Sequence, residues 1–217
     1  VDIQQGKPGR GRSPGTTTEC NATYFRNIGV KPKEADLSIL DPDEYRRELG
    51  LKPGELDVLI SCAPCTGFSQ KIAHNHIQDD PRNRLVERTA DFVGSLLPEF
   101  LVMENVKELL RGRHRHHFVT LKKRLEELGY SIWAEIHDLS DFGLPQRRIR
   151  ALIIARRDGP VVGIRVSEKR RRTVRDAIGH LPPLEAGEQH PDDPMHVSPR
   201  LTRRVLDRIR AIPKDGG

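Results

Sequence analysis

The chain has 217 residues, of which 35% are apolar, and it contains 18 glycines, 16 prolines and three cysteines. This length is enough for one domain with a real core, and an odd number of cysteines argues against a secreted disulfide scaffold. The first 18 residues lack the apolar core of a signal peptide, and no apolar run approaches the length of a membrane span. We therefore expect a cytoplasmic protein.

The net charge of +6 is unevenly distributed along the chain. Residues 147–217 carry 17 Lys and Arg against 9 Asp and Glu, a net charge of +8, whereas residues 1–146 carry a net charge of −2. A basic final third suits a polyanionic partner such as nucleic acid, which it would bind through phosphate contacts. On charge alone, a solvated basic tail is an equally good interpretation.

Residues 1–18 are rich in Gly, Pro, Arg, Ser and Thr and are predicted to be a flexible leader. The elements predicted after the leader are a short helix capped by Asp41 and ending at Leu49, a buried parallel strand at 56–62, a helix at 84–97, a strand at 100–103, a helix at 117–128, strands at 131–139 and 149–155, and short helices at 173–180 and 199–212. Strands that alternate with helices predict an α/β domain with a largely parallel sheet.

Reactive and polar residues lie where three of the predicted strands begin or end. Pro64 and Cys65 follow the first strand, and Glu104 follows the apolar part of the second. Arg148 and Arg150 stand two residues apart at the start of the last strand, so both would point the same way. Because ligands gather at the carboxyl ends of strands in open α/β sheets, we expect the functional site at this edge.

Taken singly, these residues allow other interpretations. Cys62 and Cys65 match the spacing of a redox pair or of half a zinc site, but the chain has no second pair of this spacing. The long α/β pattern after the pair also argues against a thioredoxin-like fold. His114, His116 and His117 do not all fall on one helix face, so we expect a solvated basic helix start and no metal site there.

Taken together, the segments resemble the cytosine-C5 DNA methyltransferase family. Four motifs carry the resemblance: Pro64-Cys65-x-Gly67-Phe68-Ser69 for the nucleophile motif, Asp80-x-Arg82-Asn83-x-Leu85 for the segment that follows it, Glu104-Asn105-Val106 for the catalytic acid motif, and Gln146-x-Arg148-x-Arg150 for the third signature. Before them, Tyr24, Asn27 and Asp36-Leu37 resemble the stretch leading to the family's adenine-binding acid. The match covers about residues 20–157, and four motifs in the family's order make it specific.

The resemblance implies a Rossmann-like methyltransferase domain that uses S-adenosylmethionine. Asp36 would bind the adenine side of the cofactor, and Leu37, Pro64 and Leu85 would line its pocket. The family's glycine-rich Phe-x-Gly-x-Gly loop has no counterpart in residues 1–19. The expected organisation is therefore a flexible leader at 1–18, a partial catalytic domain at 19–157, and a basic linker with the start of a target-recognition region at 158–217, as in a fragment, a truncated gene or one part of a split enzyme.

The resemblance also implies covalent catalysis on a cytosine. Cys65 would attack carbon 6 of the ring as a thiolate, helped by positive potential from Arg148 and Arg150. Glu104, kept protonated by burial, would donate to ring nitrogen 3. Arg150 would hold the base oxygen and orient Glu104, and Arg148 would contact phosphate or the acids of the site.

Duplex DNA is the implied substrate, and its target base would be flipped out of the helix at a cost of about a few kcal/mol. The resemblance assigns DNA contacts to Ser69, Gln146 and Arg148. A cognate restriction endonuclease of the same restriction-modification system would be a further partner, without a stable complex. The alternatives are a tRNA cytosine-C5 methyltransferase and a DNA-binding remnant that has lost catalysis.

Overall fold

The computed structural model describes residues 17–65, 67–68, 79–166 and 171–213. The chain divides into two compact units, which separate between Arg171 and Arg172. None of the helices in the described ranges is long and apolar enough to cross a membrane.

The first unit contains one sheet and five helices among its described residues. The helices are α1 (Thr17–Ile28), α2 (Pro42–Glu48), α3 (Arg84–Leu96), α4 (Glu108–Arg111) and α5 (His116–Glu127), and the strands are β1 (Val58–Ser61), β2 (Phe100–Val106), β3 (Tyr130–Asp138) and β4 (Ile149–Arg157). Two 3-10 turns accompany them, at Pro81–Asn83 and Leu139–Phe142. Every strand predicted from the sequence is present, as are the helices predicted from Asp41 and over 84–97 and 117–128.

The four strands lie in the order β1-β2-β4-β3. β1 runs parallel to β2, whereas β4 runs antiparallel to both of its neighbours. Three of the four strands therefore point the same way, but two of the three hydrogen-bonded pairs are antiparallel. The sheet is mixed rather than largely parallel, and its mixed character comes from the position of β4 between β2 and β3.

The connection between β3 and β4 explains why β4 reverses direction. A parallel pair needs a crossover of about a dozen residues or more, usually a helix. Only residues 139–148 separate the two strands, and their one regular element is a 3-10 turn. The chain therefore returns beside β3 as an antiparallel neighbour.

Local sequence signals explain the ends of α2 and α3. The Asp41 carboxylate accepts hydrogen bonds from the backbone N–H groups of Asp43 and Glu44, and Pro42 occupies the first turn. Gly50 follows α2 with a φ of +70°, a conformation that glycine adopts without strain. At the end of α3, Leu97 adopts a left-handed conformation.

Helix α1 is the largest departure from the sequence predictions. It begins at Thr17, inside the segment predicted to be a flexible leader, and continues to Ile28. The segment has no apolar stripe strong enough to predict a helix, and its large side chains Tyr24, Phe25 and Ile28 are about half exposed. Residues 1–16 lie outside the described part of the chain.

The core lies between one face of the sheet and the helices α3 and α5. Its fully buried side chains come from α3 (Val86, Ala90, Val93), β2 (Leu101, Met103), α5 (Leu121, Leu125) and β4 (Ile153, Ala155). The apolar stripes of the two helices supply one side of this layer, as the helical spacing predicted.

Among the described residues, the opposite face of the sheet is exposed at β1 and β2. Ile60 is 71% exposed, Val58 45% and Val102 36%. Strand β1 was predicted to be buried, and that prediction is wrong: β1 is an edge strand that pairs, within the described residues, with β2 alone. A continuous apolar run suits burial on both faces, but the described chain provides helices for only one of them.

The core predicts a large difference between two positions of α5. Leu125 is fully buried and Val119 is 49% exposed. Leu125→Ala should lower the free energy of unfolding by about 2–5 kcal/mol, because it removes buried methyl groups and leaves a cavity. Val119→Ala should change it by less than about 0.5 kcal/mol. Urea unfolding followed by circular dichroism measures both, and equal losses in the two variants would contradict this description of the core.

The second unit contains α6 (Val174–Ile178) and α7 (Arg203–Arg210). Thr173 caps α6 in a reciprocal arrangement with Asp176, in which each side chain accepts from the other residue's backbone N–H. Neither helix has a buried residue. Both helices fall within the stretches in which the sequence predicts short helices.

Candidate active site

The loop after β1 holds Cys65 next to the end of β2. The side-chain amide of Asn105 donates a 3.0 Å hydrogen bond to the backbone oxygen of Ala63, two residues before Cys65. Asn105 is itself 1% exposed, so this bond lies inside the protein. The Cys65 thiol is free and exposed. The sequence therefore places a reachable sulfur on a loop that the neighbouring strand fixes.

A tight turn continues this loop and packs it against the start of α3. The N–H of Phe68 donates to the Cys65 carbonyl at 3.1 Å, and the Phe68 ring is 4% exposed. Gly67 has no room for a side chain, because a Cβ there would lie 2.2 Å from Asn83 Oδ1 and 2.5 Å from Asp80 Cβ. Glycine is required here because neighbouring atoms lie too close to admit a side chain. Its φ lies outside the left-handed region, so backbone conformation is not the reason.

Gly67→Ala should therefore disturb the nucleophile loop. The buried Asn83 side chain or the Asp80 backbone must move to admit the methyl group, at a cost of about 1–3 kcal/mol. Gly94→Ala is the matched control, because a Cβ at that position of α3 meets only Leu128 at ordinary contact distance, and alanine favours a helix over glycine by about 1 kcal/mol. Urea unfolding should show a loss for the first variant and no loss for the second. A Gly67→Ala protein as stable as the unmodified one would contradict the packing described.

A carboxylate and two guanidinium groups meet beside this loop. Val106 of β2 lies opposite Arg150 of β4, so Glu104, two residues earlier on β2, shares a face of the sheet with Arg150. Arg150 Nε lies 2.7 Å from Glu104 Oε1, and Arg148 Nη2 lies 3.7 Å from the same oxygen. The sequence prediction that the two arginines point the same way is confirmed by these contacts.

Glu104 is less enclosed than its predicted role requires. Its side chain is 36% exposed, and its nearest partners are cationic rather than apolar. The described residues alone do not bury it. Arg150, at 20% exposure, is better covered, and it also donates to the Ile149 carbonyl at 2.8 Å.

Asp138 fixes the loop that presents Arg148. Its carboxylate accepts from the backbone N–H groups of Ser140 and Arg148, both at 3.1 Å, and from Arg147 Nε at 3.3 Å. Hydrogen bonds from Ser140, followed by those from Arg148 and Arg147, lower the pKa of Asp138 to about 2. The carboxylate therefore stays ionised and keeps its hold on the loop well into acidic conditions.

The predicted cofactor residues gather around the first half of α3. Asp36 Oδ1 accepts from both the N–H and the hydroxyl of Ser38, and these bonds lower the pKa of Asp36. Arg88 of α3 donates to the Leu37 carbonyl at 3.1 Å and to the Leu40 carbonyl at 2.6 Å, which fastens this turn to the helix. Leu85 lies on the same helix, one turn before Arg88.

The end of β1, which leads to Pro64, also contacts α3. The hydroxyl of Ser61 lies 3.0 Å from that of Thr89, so the strand that leads to Pro64 is held against α3. An exposed carboxylate, Asp36, and half-buried side chains at Leu37, Pro64 and Leu85 suit an adenine ring with its amino group. On this chemistry, the residues present fit the adenine end of a nucleoside cofactor.

Two of the predicted DNA contacts have different outcomes. Gln146 lies on the exposed surface of the loop between β3 and β4, two residues before Arg148. Ser69 lies outside the described residues. The parts played by Arg88 and Asp138 were not predicted from the sequence, and Gly67 was placed in the nucleophile motif without its close packing being predicted. Asp138 could have been found, since an acid followed two residues later by serine at the end of a strand is typical of a turn start.

A family model for C-5 cytosine-specific DNA methylases matches residues 16–207. The chain belongs to the C-5 cytosine-specific DNA methylase family. The match includes Cys65, Glu104, Arg148 and Arg150, whose surroundings are described above. Members of this family use S-adenosylmethionine, which agrees with the cofactor implied by the sequence.

Similar proteins support this assignment over part of their length. The chain is 37% identical over 158 residues to the type II methyltransferase M1.HphI of Haemophilus parahaemolyticus, a match that covers 71% of this chain and 42% of the relative. It is 35% identical over 146 residues to the type II methyltransferase M.XorII of Xanthomonas oryzae pv. oryzae, covering 66% and 34%. The chain therefore spans less than half the length of these relatives.

The fold of this chain is also similar to that of a solved methyltransferase structure. A prophage-encoded Escherichia coli protein, crystallised as a DNA modification methyltransferase, superposes with a TM-score of 0.61 at 23% identity, over 80% of this chain and 49% of that protein. At this identity the likeness concerns the fold. It confirms the Rossmann-like α/β class predicted from the sequence.

Proposed function

We propose that this protein transfers a methyl group from S-adenosylmethionine to carbon 5 of a cytosine flipped out of duplex DNA, with Cys65 forming a transient covalent bond to the base. The observation that carries the proposal is the meeting of Glu104 with Arg148 and Arg150 beside a loop that Asn105 ties to the same strand. This reaction needs a nucleophile, an acid and positively charged groups, and Cys65, Glu104, Arg148 and Arg150 all belong to the same end of strands β1, β2 and β4.

The chemistry begins with the thiolate of Cys65. Its addition to carbon 6 pushes electrons towards carbon 5 and ring nitrogen 3, and carbon 5 becomes nucleophilic. S-adenosylmethionine supplies the methyl group when bound. Loss of the carbon 5 proton to water then expels the Cys65 thiolate, ring nitrogen 3 returns any proton it has received, and the aromatic ring is restored.

Glu104 and Arg150 act on the polar edge of the base. The carboxyl group of Glu104 donates a proton to ring nitrogen 3 as negative charge develops there. Arg150 fixes the orientation of that carboxyl group through its 2.7 Å contact, and its remaining N–H groups are suited to the base oxygen. The base itself would complete the burial that the described residues do not give Glu104.

Three further residues would meet DNA outside the pocket of the flipped base. Arg148 and Gln146 stand on the loop that Asp138 fixes, where a guanidinium and an amide can reach a phosphate or a groove edge. Ser69 completes this set in the proposal. The similarity to type II methyltransferases favours a restriction-modification role, in which a cognate endonuclease recognises the same site.

Asp36, Leu37, Pro64 and Leu85 would hold the adenine side of S-adenosylmethionine. Asp36 presents an ionised acceptor, since its pKa is lowered by the Ser38 hydrogen bonds. The other three side chains are half-buried and offer apolar surface to the adenine ring. This arrangement lets one helix, α3, position the cofactor residues and the nucleophile loop together.

Methyl transfer to DNA or to tRNA distinguishes the proposal from its nearest alternative. The full-length gene product would be incubated with radiolabelled S-adenosylmethionine and either mixed-sequence duplex DNA or total tRNA. We expect label at carbon 5 of cytosine in DNA, and none in tRNA. Label in tRNA alone would overturn the substrate assignment, and label in neither would favour a DNA-binding remnant.

A further inference from the structure

A cluster of histidines around one carboxylate lies beside the turn that follows Cys65, and it has no part in the proposed reaction. Asp79 directly precedes Asp80 and the 3-10 turn that leads into α3, and His116 and His117 form the first residues of α5. His117 is 3% exposed and His114 8%. A solvated helix start is predicted here from the sequence, and for these two residues that prediction is wrong, because both side chains are buried.

The ligand atoms of this cluster converge on one point. His116 Nε2 lies 3.1 Å from Asp79 Oδ2, and His117 Nε2 lies 2.9 Å from the same oxygen. The three groups each offer a ligand atom within 4.8 Å of the others. Zinc binds histidine nitrogen and carboxylate oxygen at about 2.0–2.2 Å in tetrahedral sites, which requires ligand atoms about 3.4 Å apart. The cluster needs little movement to reach this geometry.

Supporting contacts behind the ligands distinguish the cluster from a chance group of charges. His117 Nδ1 lies 2.5 Å from Glu87 Oε1, so the second ring nitrogen is held by a carboxylate. Asn83 donates to Asp79 Oδ1 at 2.7 Å and fixes the orientation of the acid. A ligating histidine characteristically donates its other ring N–H to a carboxylate in this way.

We infer that Asp79, His116 and His117 bind a Zn²⁺ ion. The imidazole nitrogens and the carboxylate are ligands that zinc favours, and calcium and magnesium would require more oxygen ligands. His114, whose Nδ1 lies 3.7 Å from Asp79 Oδ1, or a water molecule would supply the fourth ligand.

The ion would have a structural effect on the nucleophile loop. Asp80, the residue after Asp79, packs against Gly67 so closely that a Cβ on Gly67 would lie 2.5 Å away. The Phe68 ring meets the His117 ring edge-on, with their centres 5.8 Å apart. A zinc ion that joins Asp79 to α5 would therefore brace the residues against which the turn after Cys65 packs. This inference does not depend on the proposed reaction.

Zinc binding to an untagged, metal-free full-length gene product tests the inference by isothermal titration calorimetry. We expect one Zn²⁺ per chain with a dissociation constant in the micromolar range or below. His116→Gln is the decisive variant, because its side chain is 56% exposed and its loss should not unfold the protein. It should weaken binding by about 10-fold or more, as should Glu87→Ala through loss of the supporting carboxylate.

Two controls separate this site from other metal-binding groups. His180→Gln changes an exposed histidine in the second unit and should leave zinc affinity unchanged. The Co²⁺-substituted protein should show the visible absorption of a tetrahedral site without the near-ultraviolet charge-transfer band of a thiolate ligand. Absence of zinc binding, equal affinity in the His116→Gln protein, or thiolate ligation would each overturn the inference.

Discussion

Cys65→Ser is expected to abolish covalent capture of DNA that contains 5-fluorocytosine. Fluorine at carbon 5 cannot leave as the proton does, so the bond between sulfur and carbon 6 persists after methyl transfer and the complex survives denaturing electrophoresis. Serine keeps the size of the side chain, but its hydroxyl stays protonated at neutral pH and is a much weaker nucleophile than a thiolate. Methyl transfer to ordinary cytosine should fall by about 10³-fold or more, as expected when a covalent nucleophile is removed.

Cys62→Ser is the matched control for this prediction. Cys62 is also a free and exposed thiol, on the same loop and three residues before Cys65, but nothing in the site assigns it a role. Its replacement should leave both capture and methyl transfer close to those of the unmodified protein. If both serine variants lost capture equally, the two cysteines would be required together, and the mechanism with Cys65 as the single nucleophile would be wrong. If neither lost capture, Cys65 would not be the nucleophile.

Features governed by short-range patterns could be predicted from the sequence. The alternation of apolar stretches located all four strands, and the Asp41-Pro42 start and Gly50 stop gave the limits of α2. The two-residue period of a strand was enough to place Arg148 and Arg150 on one side. Each of these features depends on residues within a few positions of each other.

Features that depend on distant partners could not be predicted. Burial of His117 requires Asp79 and Glu87, which precede it by 38 and 30 residues. The turn at Leu37 is held by Arg88, 51 residues away. The exposure of β1 depends on which elements cover the second face of the sheet, and an apolar run alone does not report this. In each case the missing information was the identity of the packing partner.

Glu104→Gln is expected to lower the turnover number by about 10²–10⁴-fold, the range that one general acid contributes. The amide keeps the shape of the side chain and its oxygen can still accept from Arg150, so the site should remain assembled. An amide, however, has no acidic proton to give to ring nitrogen 3. DNA affinity should therefore change little while the chemical step slows, and single-turnover measurements with saturating enzyme would separate the two.

Glu99→Gln provides a control on the neighbouring stretch of chain. Glu99 directly precedes β2, and its carboxylate lies 3.6 Å from Arg156 of β4, so the pair resembles Glu104 and Arg150 at the opposite end of the same two strands. Exposed pairs of this kind contribute about 0–1 kcal/mol to stability, and neither variant should unfold the protein. Equal loss of turnover in both variants would show that each ion pair supports the sheet as a whole, and would contradict a specific role for Glu104 in proton donation. A selective loss in the Glu104 variant would locate proton donation at the end of β2, beside the nucleophile loop.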